Sequence, residues 1–156
     1  MRRPSPTGSA ERDSATGSAR HPTESELERD LCGELRNQEV DHEHRSLRFR
    51  IKGKDPSEIP YRPAIVVRRG QVLFLIEAIP SEEAEGTTAR ILSRFLEQHS
   101  SELVLVVVAP RPICERFPAD SYDEIYAADD LARAVRRVRD QATQGIVEPF
   151  TKLRPE

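Results

Sequence analysis

Glu77 is the residue in this chain whose surroundings suit its type least. It stands in the run Leu73-Phe74-Leu75-Ile76-Glu77-Ala78-Ile79, and a carboxylate among apolar neighbours needs a proton, a cation or a hydrogen-bond donor to be tolerated there. Such a group is a candidate metal ligand or acid–base catalyst. Its plainer reading is an ion pair at a strand end with an arginine such as Arg62 or Arg90. Asp41-His42-Glu43-His44 sets two imidazoles on one side of an extended chain, which is how a metal site begins. No third ligand stands at a recognisable spacing, so the tract reads as a solvated loop. Cys32 and Cys114 are far apart with no CxxC partner and read as ordinary thiols. His99 follows Leu92 and Phe95 at helical spacing and reads as a helix-end residue.

Two basic faces are candidates for phosphate contact: Arg48, Arg50 and Lys52 on a strand, and Arg133, Arg136, Arg137 and Arg139 on a helix. Exposed arginines are also simply soluble, and the net charge of −3 over 156 residues excludes a chain that binds nucleic acid by overall charge. No glycine-rich phosphate loop and no G-x-S-x-G elbow occurs, which removes nucleotide hydrolysis and serine-hydrolase chemistry. The longest apolar runs, Val72 to Ile76 and Leu103 to Ala109, fall short of the ~20 residues that span a bilayer. Without a secretory leader pattern after Arg2 and Arg3, the expected compartment is the cytoplasm.

The elements that would position these groups follow from the apolar period. Residues 1–22 carry almost no aliphatic side chains and are expected to be a disordered tail. Thr23-Glu24-Ser25-Glu26 matches a capping box, and Leu27, Leu31 and Leu35 form the stripe of a helix behind it. At Leu47 the period changes to two. Leu47, Phe49 and Ile51 share one face of a strand, Arg48, Arg50 and Lys52 the other. Gly53 to Pro60 reads as a loop. Tyr61 to Arg69 and Gln71 to Ile79 read as a hairpin closed by Gly70-Gln71 in a type II′ turn. Pro80 to Gly86 reads as an acidic loop before a helix capped by Thr87 or Thr88, with Ile91, Leu92, Phe95 and Leu96 inward. Leu103 to Ala109 is apolar on both faces and reads as a buried central strand. A short edge strand over Glu124 to Ala128 and a helix capped by Asp129 or Asp130 complete a domain over 23–142, with 143–156 as an extension.

The order helix, three strands, helix, strand, strand, helix resembles the restriction-endonuclease-like core of the PD-(D/E)XK nuclease superfamily, over residues 23 to about 141. That resemblance implies an α/β fold: a mixed sheet with an antiparallel three-strand meander flanked by helices. It also reaches residues. Arg62-Pro63-Ala64 on one strand and Glu77-Ala78-Ile79 on the next look like the family's Pro-Asp and (Asp/Glu)-x-Lys, and a turn at Gly70-Gln71 puts Ala64 opposite Glu77.

In that family the two acids bind magnesium and the lysine serves the attacking water. Here Ala64 and Ile79 replace the aspartate and the lysine. Glu77 remains as the candidate catalytic and metal residue, with Glu34 as a candidate for the family's occasional first-helix glutamate. The implied function is a catalytically degenerate nuclease-like domain, an accessory module associated with DNA without sequence readout or with a protein partner. On that reading no cofactor is expected, and the chain is not an enzyme. One rival is a divergent nuclease that keeps magnesium, with charges relocated to Lys52 or Arg90 and acids to Asp55 or Glu58. The other is an unrelated regulatory α/β domain with a parallel sheet. Arg48, Arg50, Lys52, Arg62 and Arg90 are the candidate nucleic-acid contacts.

Overall fold

A computed structural model describes residues 25–53, 57–99, 101 and 103–141. The expected tail, the C-terminal extension, Thr23 and Asp55 lie outside the described residues. The first helix, α1 (Glu26–Asn37), is capped by Ser25, whose hydroxyl accepts the Glu28 amide at 3.1 Å. The cap is therefore Ser25 rather than Thr23. Three residues after this cap stands Glu28, which turns inward instead of closing a capping box and is buried together with Leu31, Cys32 and Leu35.

The helix ends in a Schellman motif. The amide of Glu39 donates to Arg36 and that of Val40 to Leu35, with Glu39 in the left-handed region at φ 61°. Val40 and Leu35 are both buried, which supplies the apolar contact that accompanies such a turn. The chain thereby reverses and runs back along α1 into β1 (Glu43–His44).

Strand β2 (Phe49–Lys52) pairs antiparallel with β3 (Glu58–Tyr61) in a separate two-stranded ribbon. The face alternation expected for Leu47 to Lys52 holds: Ile51 is buried while Arg50 and Lys52 are exposed. Its place in the meander does not hold. The outer strand of the main sheet is β1, two residues long and without a periodic signal, and part of the expected 53–60 loop is β3. The expected strand from Tyr61 to Arg69 is likewise divided. Tyr61 belongs to the ribbon, and β4 begins only at Ile65.

The main sheet has the order β1, β4 (Ile65–Arg69), β5 (Val72–Ala78), β6 (Leu103–Ala109), β7 (Glu124–Ala127). Its first two pairings are antiparallel and its last two parallel. The chain is thus an α/β protein with a mixed sheet. Arg69 pairs with Val72, leaving Gly70 and Gln71 as the turn. Gly70 has φ 61° and Gln71 is not among the described residues with positive φ, as a type II′ turn requires. This hairpin rules out a wholly parallel sheet.

Two apolar layers cover the sheet. On one side Ile65, Val67, Phe74 and Ile76 meet Leu31 and Leu35 of α1 and Ala134, Val135 and Val138 of α4 (Leu131–Arg139). On the other side Val66, Leu75 and Val107 meet Leu92 and Phe95 of α2 (Glu82–His99), together with Ile51 and Tyr61 of the ribbon. A four-residue turn of helix, α3 (Arg111–Cys114), follows β6. Helix α2 starts at Glu82, ahead of the expected Thr87 or Thr88 cap, because the acidic run after Pro80 favours a helix's first turn. Ile91 and Leu96 are only partly buried beside it. The α4 stripe is as expected, although the Asp130 side chain makes no capping bond.

Candidate functional site

The β4–β5 register pairs Ile65 with Ile76, and one step further Ala64 faces Glu77. The Ala64 amide donates to Oε2 of Glu77 at 3.1 Å, and the Tyr61 hydroxyl donates to the same oxygen. Both donors stabilise the ionised form, as does the nearby Arg45 guanidinium. Loss of water outweighs them, and Glu28 adds a smaller push in the same direction, so the pKa of Glu77 rises to about 7. The Tyr61 hydroxyl is in turn held well above the usual tyrosine range by burial and by Glu77.

Arg62 and Arg90, the arginines expected beside Glu77, are exposed instead. The cation near Glu77 is Arg45, not Lys52 or Arg90. Ile79 is 1% exposed and packs among the apolar residues under α2, with its amide on the Val108 carbonyl. Glu34 accepts from the Gln38 side chain at 2.6 Å, and Gln38 also donates to the Ala132 carbonyl, so Glu34 belongs to the α1–α4 contact. The first-helix glutamate whose charge reaches Glu77 is Glu28.

Glu28 is 2% exposed and binds Arg45 with both oxygens, at 2.9 and 2.7 Å. Nδ1 of His44 lies 3.0 Å from the Oε2 that also takes Arg45. Arg45 holds a left-handed φ of 51°, and its amide donates to Ala64. A chain of polar contacts therefore runs from the end of β5 to the inner face of α1.

At the far end of that chain the returning segment brings both histidines onto Cys32. The Cys32 sulfur and Nε2 of His42 are 3.2 Å apart, and donor atoms of Cys32, His42 and His44 all lie within 4.8 Å of one another. The two rings meet edge to face at 5.1 Å. Nδ1 of His42 is held by the Val40 carbonyl at 3.0 Å. Burial raises the Cys32 thiol and lowers the His42 imidazole, with Arg36 opposing the first shift and the Val40 carbonyl the second. Of the solvated loop expected at Asp41 to His44, Asp41 and Glu43 are exposed, but Glu43–His44 is strand β1 and both histidines turn toward Cys32 of α1.

The basic strand faces outward. Arg48, Arg50 and Lys52 are exposed, and Arg50 makes one exposed pair with Glu58 at 3.3 Å. Gln98 of α2 clamps the ribbon through both the amide and the carbonyl of Lys52, each at 2.9 Å. His99 ends α2 as expected, and it lies 3.2 Å from the Arg50 carbonyl, which ties the helix end to the ribbon. Beside this contact a cleft of about 470 Å³ is lined by Ile51, Ile59, Arg90 and Arg94. Of the α4 arginines Arg136 is exposed, while the other three make side-chain contacts. Arg137 grips Glu124 and lies over Phe74, Arg133 lies over Tyr126, and Arg139 pairs with Asp140.

Comparison of the chain with protein-family models, with curated proteins and with solved structures returns no significant match in any of the three.

Proposed function

We propose that this chain is a restriction-endonuclease-like domain that has lost cleavage and serves as an accessory module, binding DNA without sequence readout through the ribbon and α2. The observation that carries the loss of cleavage is the setting of Glu77. Its carboxylate is already taken by the Tyr61 hydroxyl and the Ala64 amide. The adjoining positions are a methyl group at Ala64 and a buried Ile79. Magnesium prefers six oxygens at near-ideal octahedral geometry, and one carboxylate with its proton held to about pH 7 offers it little.

DNA contact is supported by the exposed run Arg48, Arg50 and Lys52, held in place by Gln98, and by the exposed Arg62 and Arg90. The contact is electrostatic, and with a net charge of −3 the positive field it uses is local. Fluorescence anisotropy against duplex, single-stranded and branched DNA, at two salt concentrations with magnesium present, tests both parts. The expected result is salt-sensitive binding that weakens in Arg48→Ala/Arg50→Ala/Lys52→Ala, with the DNA left intact. No binding at low salt removes the DNA reading. Cleavage that disappears in Glu77→Ala removes the non-catalytic one.

A further inference from the structure

We propose that Cys32, His42 and His44 bind one zinc ion, which ties α1 to β1 beneath the Glu28–Arg45 pair. This site is separate from the proposed DNA face and does not depend on it.

The donor set selects the ion. One thiolate and two imidazoles suit a borderline-soft transition metal and repel magnesium or calcium, which take oxygen. Zinc–ligand bonds of about 2.3 Å to sulfur and 2.0–2.1 Å to nitrogen put tetrahedral donors roughly 3.5 Å apart for sulfur and nitrogen, and about 3.3 Å for two nitrogens. Cys32 Sγ and His42 Nε2 stand at 3.2 Å, and the whole trio lies within 4.8 Å. Closing on an ion needs shifts of the order of an ångström in the donor atoms.

The surroundings are those of a metal site as well. A ligating histidine ordinarily gives its other nitrogen to a carbonyl or carboxylate, which fixes the tautomer and aims the ring. His42 does this through Val40 and His44 through Glu28. Nε2 is then the ligand nitrogen of both rings, and in His44 that atom is buried. Cys32 is 4% exposed, whereas His42 remains partly exposed and marks the side from which an ion enters. Three protein ligands fill three tetrahedral positions, and the fourth goes to water or to a ligand outside the trio.

Binding deprotonates the thiol. The sulfur–hydrogen bond breaks, its electron pair forms the zinc–sulfur bond, and the proton leaves to buffer, while the neutral imidazoles donate their lone pairs unchanged. No oxidation state changes.

The test uses the full chain stripped with a chelator. Zinc titration in competition with a chromophoric chelator, repeated with magnesium, is expected to give one zinc per chain and no magnesium effect. Because the chain has two cysteines, cobalt(II) loading of Cys114→Ser identifies the ligand. A sulfur-to-cobalt charge-transfer band with tetrahedral ligand-field bands is expected to persist there and to vanish in Cys32→Ser. His42→Ala and His44→Ala should each weaken zinc by more than the roughly 10- to 100-fold typical of a lost outer partner, and His99→Gln should not. No stoichiometric zinc uptake by the wild-type chain would overturn the proposal. So would a sulfur band that survives Cys32→Ser, or an octahedral cobalt spectrum lacking that band in Cys114→Ser. The last reading needs no variant at the site, so it stands even if Cys32→Ser fails to fold.

Discussion

Glu28 takes both guanidinium nitrogens of Arg45 with its two oxygens, in a fork at 2.7 and 2.9 Å, although one partner stands in the first turn of α1 and the other just past β1. Glu28 is nearly fully buried, whereas the Arg45 side chain keeps 21% of its surface. Removing one member of such a pair strands the other charge, at a cost of about 3–5 kcal/mol when both are fully buried. Partial exposure of Arg45 reduces this. Arg45→Met is expected to cost roughly 2–4 kcal/mol in urea unfolding, because it strands the buried Glu28, and Glu28→Ala less, because the charge it leaves behind is the more solvated one. Equal effects would mean that the pair is not the source of the loss.

Glu77 gives stability a pH dependence whose sign follows from its raised pKa. The folded value is about 7 against an ordinary 4.5. The folded state therefore holds this proton more tightly than the unfolded chain. The contribution is fully present below about pH 4.5 and is lost as pH rises through 7, amounting to about 3 kcal/mol in all. His42, with its lowered pKa, acts oppositely, losing stability as pH falls below 6.5. The measurement is accordingly a difference. Wild type minus Glu77→Gln, from unfolding curves between pH 4.5 and 8, should fall with rising pH and level off above 7. Tyr61→Phe removes a donor to the ionised carboxylate and should move the midpoint upward. A flat difference would mean that Glu77 is ionised throughout.

Much of the sheet was legible in side-chain period. The Gly70 turn, the central strand over Leu103 to Ala109, and the α4 stripe of Ala134, Val135 and Val138 each rest on a local rule of turn chemistry or burial, and the fold obeys it. What escaped was non-local. β1 is too short to carry a period, and β2 pairs with β3 across a break in the apolar pattern. The polar cluster escaped for a related reason. Cys32 and His42 are ten positions apart, so no ligand spacing joins them until the Schellman turn folds one onto the other. A signal was present nonetheless. Glu28, Leu31, Cys32 and Leu35 fall at i, i+3, i+4 and i+7, which places a carboxylate and a thiol on the inward face of a helix.

The position that the nuclease resemblance would give to a lysine, Ile79, is closed by packing. Ile79 is 1% exposed and surrounded by apolar side chains, so Ile79→Lys must bury an ammonium or force its deprotonation. The expected outcome is a loss of more than about 2 kcal/mol in urea unfolding, recovered in part at high pH where the amine is neutral. Neutral stability in this variant would show that position 79 can reach solvent, and with it a polar pocket next to Glu77.

Glu39 bears the strain of the turn that assembles the histidines. A non-glycine residue in the left-handed region carries a penalty of roughly 1–2 kcal/mol, and its amide and that of Val40 already make both Schellman hydrogen bonds. Glycine at this position relieves the clash while giving the unfolded chain more freedom, which offsets part of the gain. Glu39→Gly is therefore expected to stabilise the protein by about 0.5–1 kcal/mol in urea unfolding, without moving Cys32, His42 or His44. Zinc affinity measured on the same variant should be unchanged or slightly higher. A destabilised Glu39→Gly would instead show that the glutamate side chain contributes a contact worth more than the backbone strain it imposes.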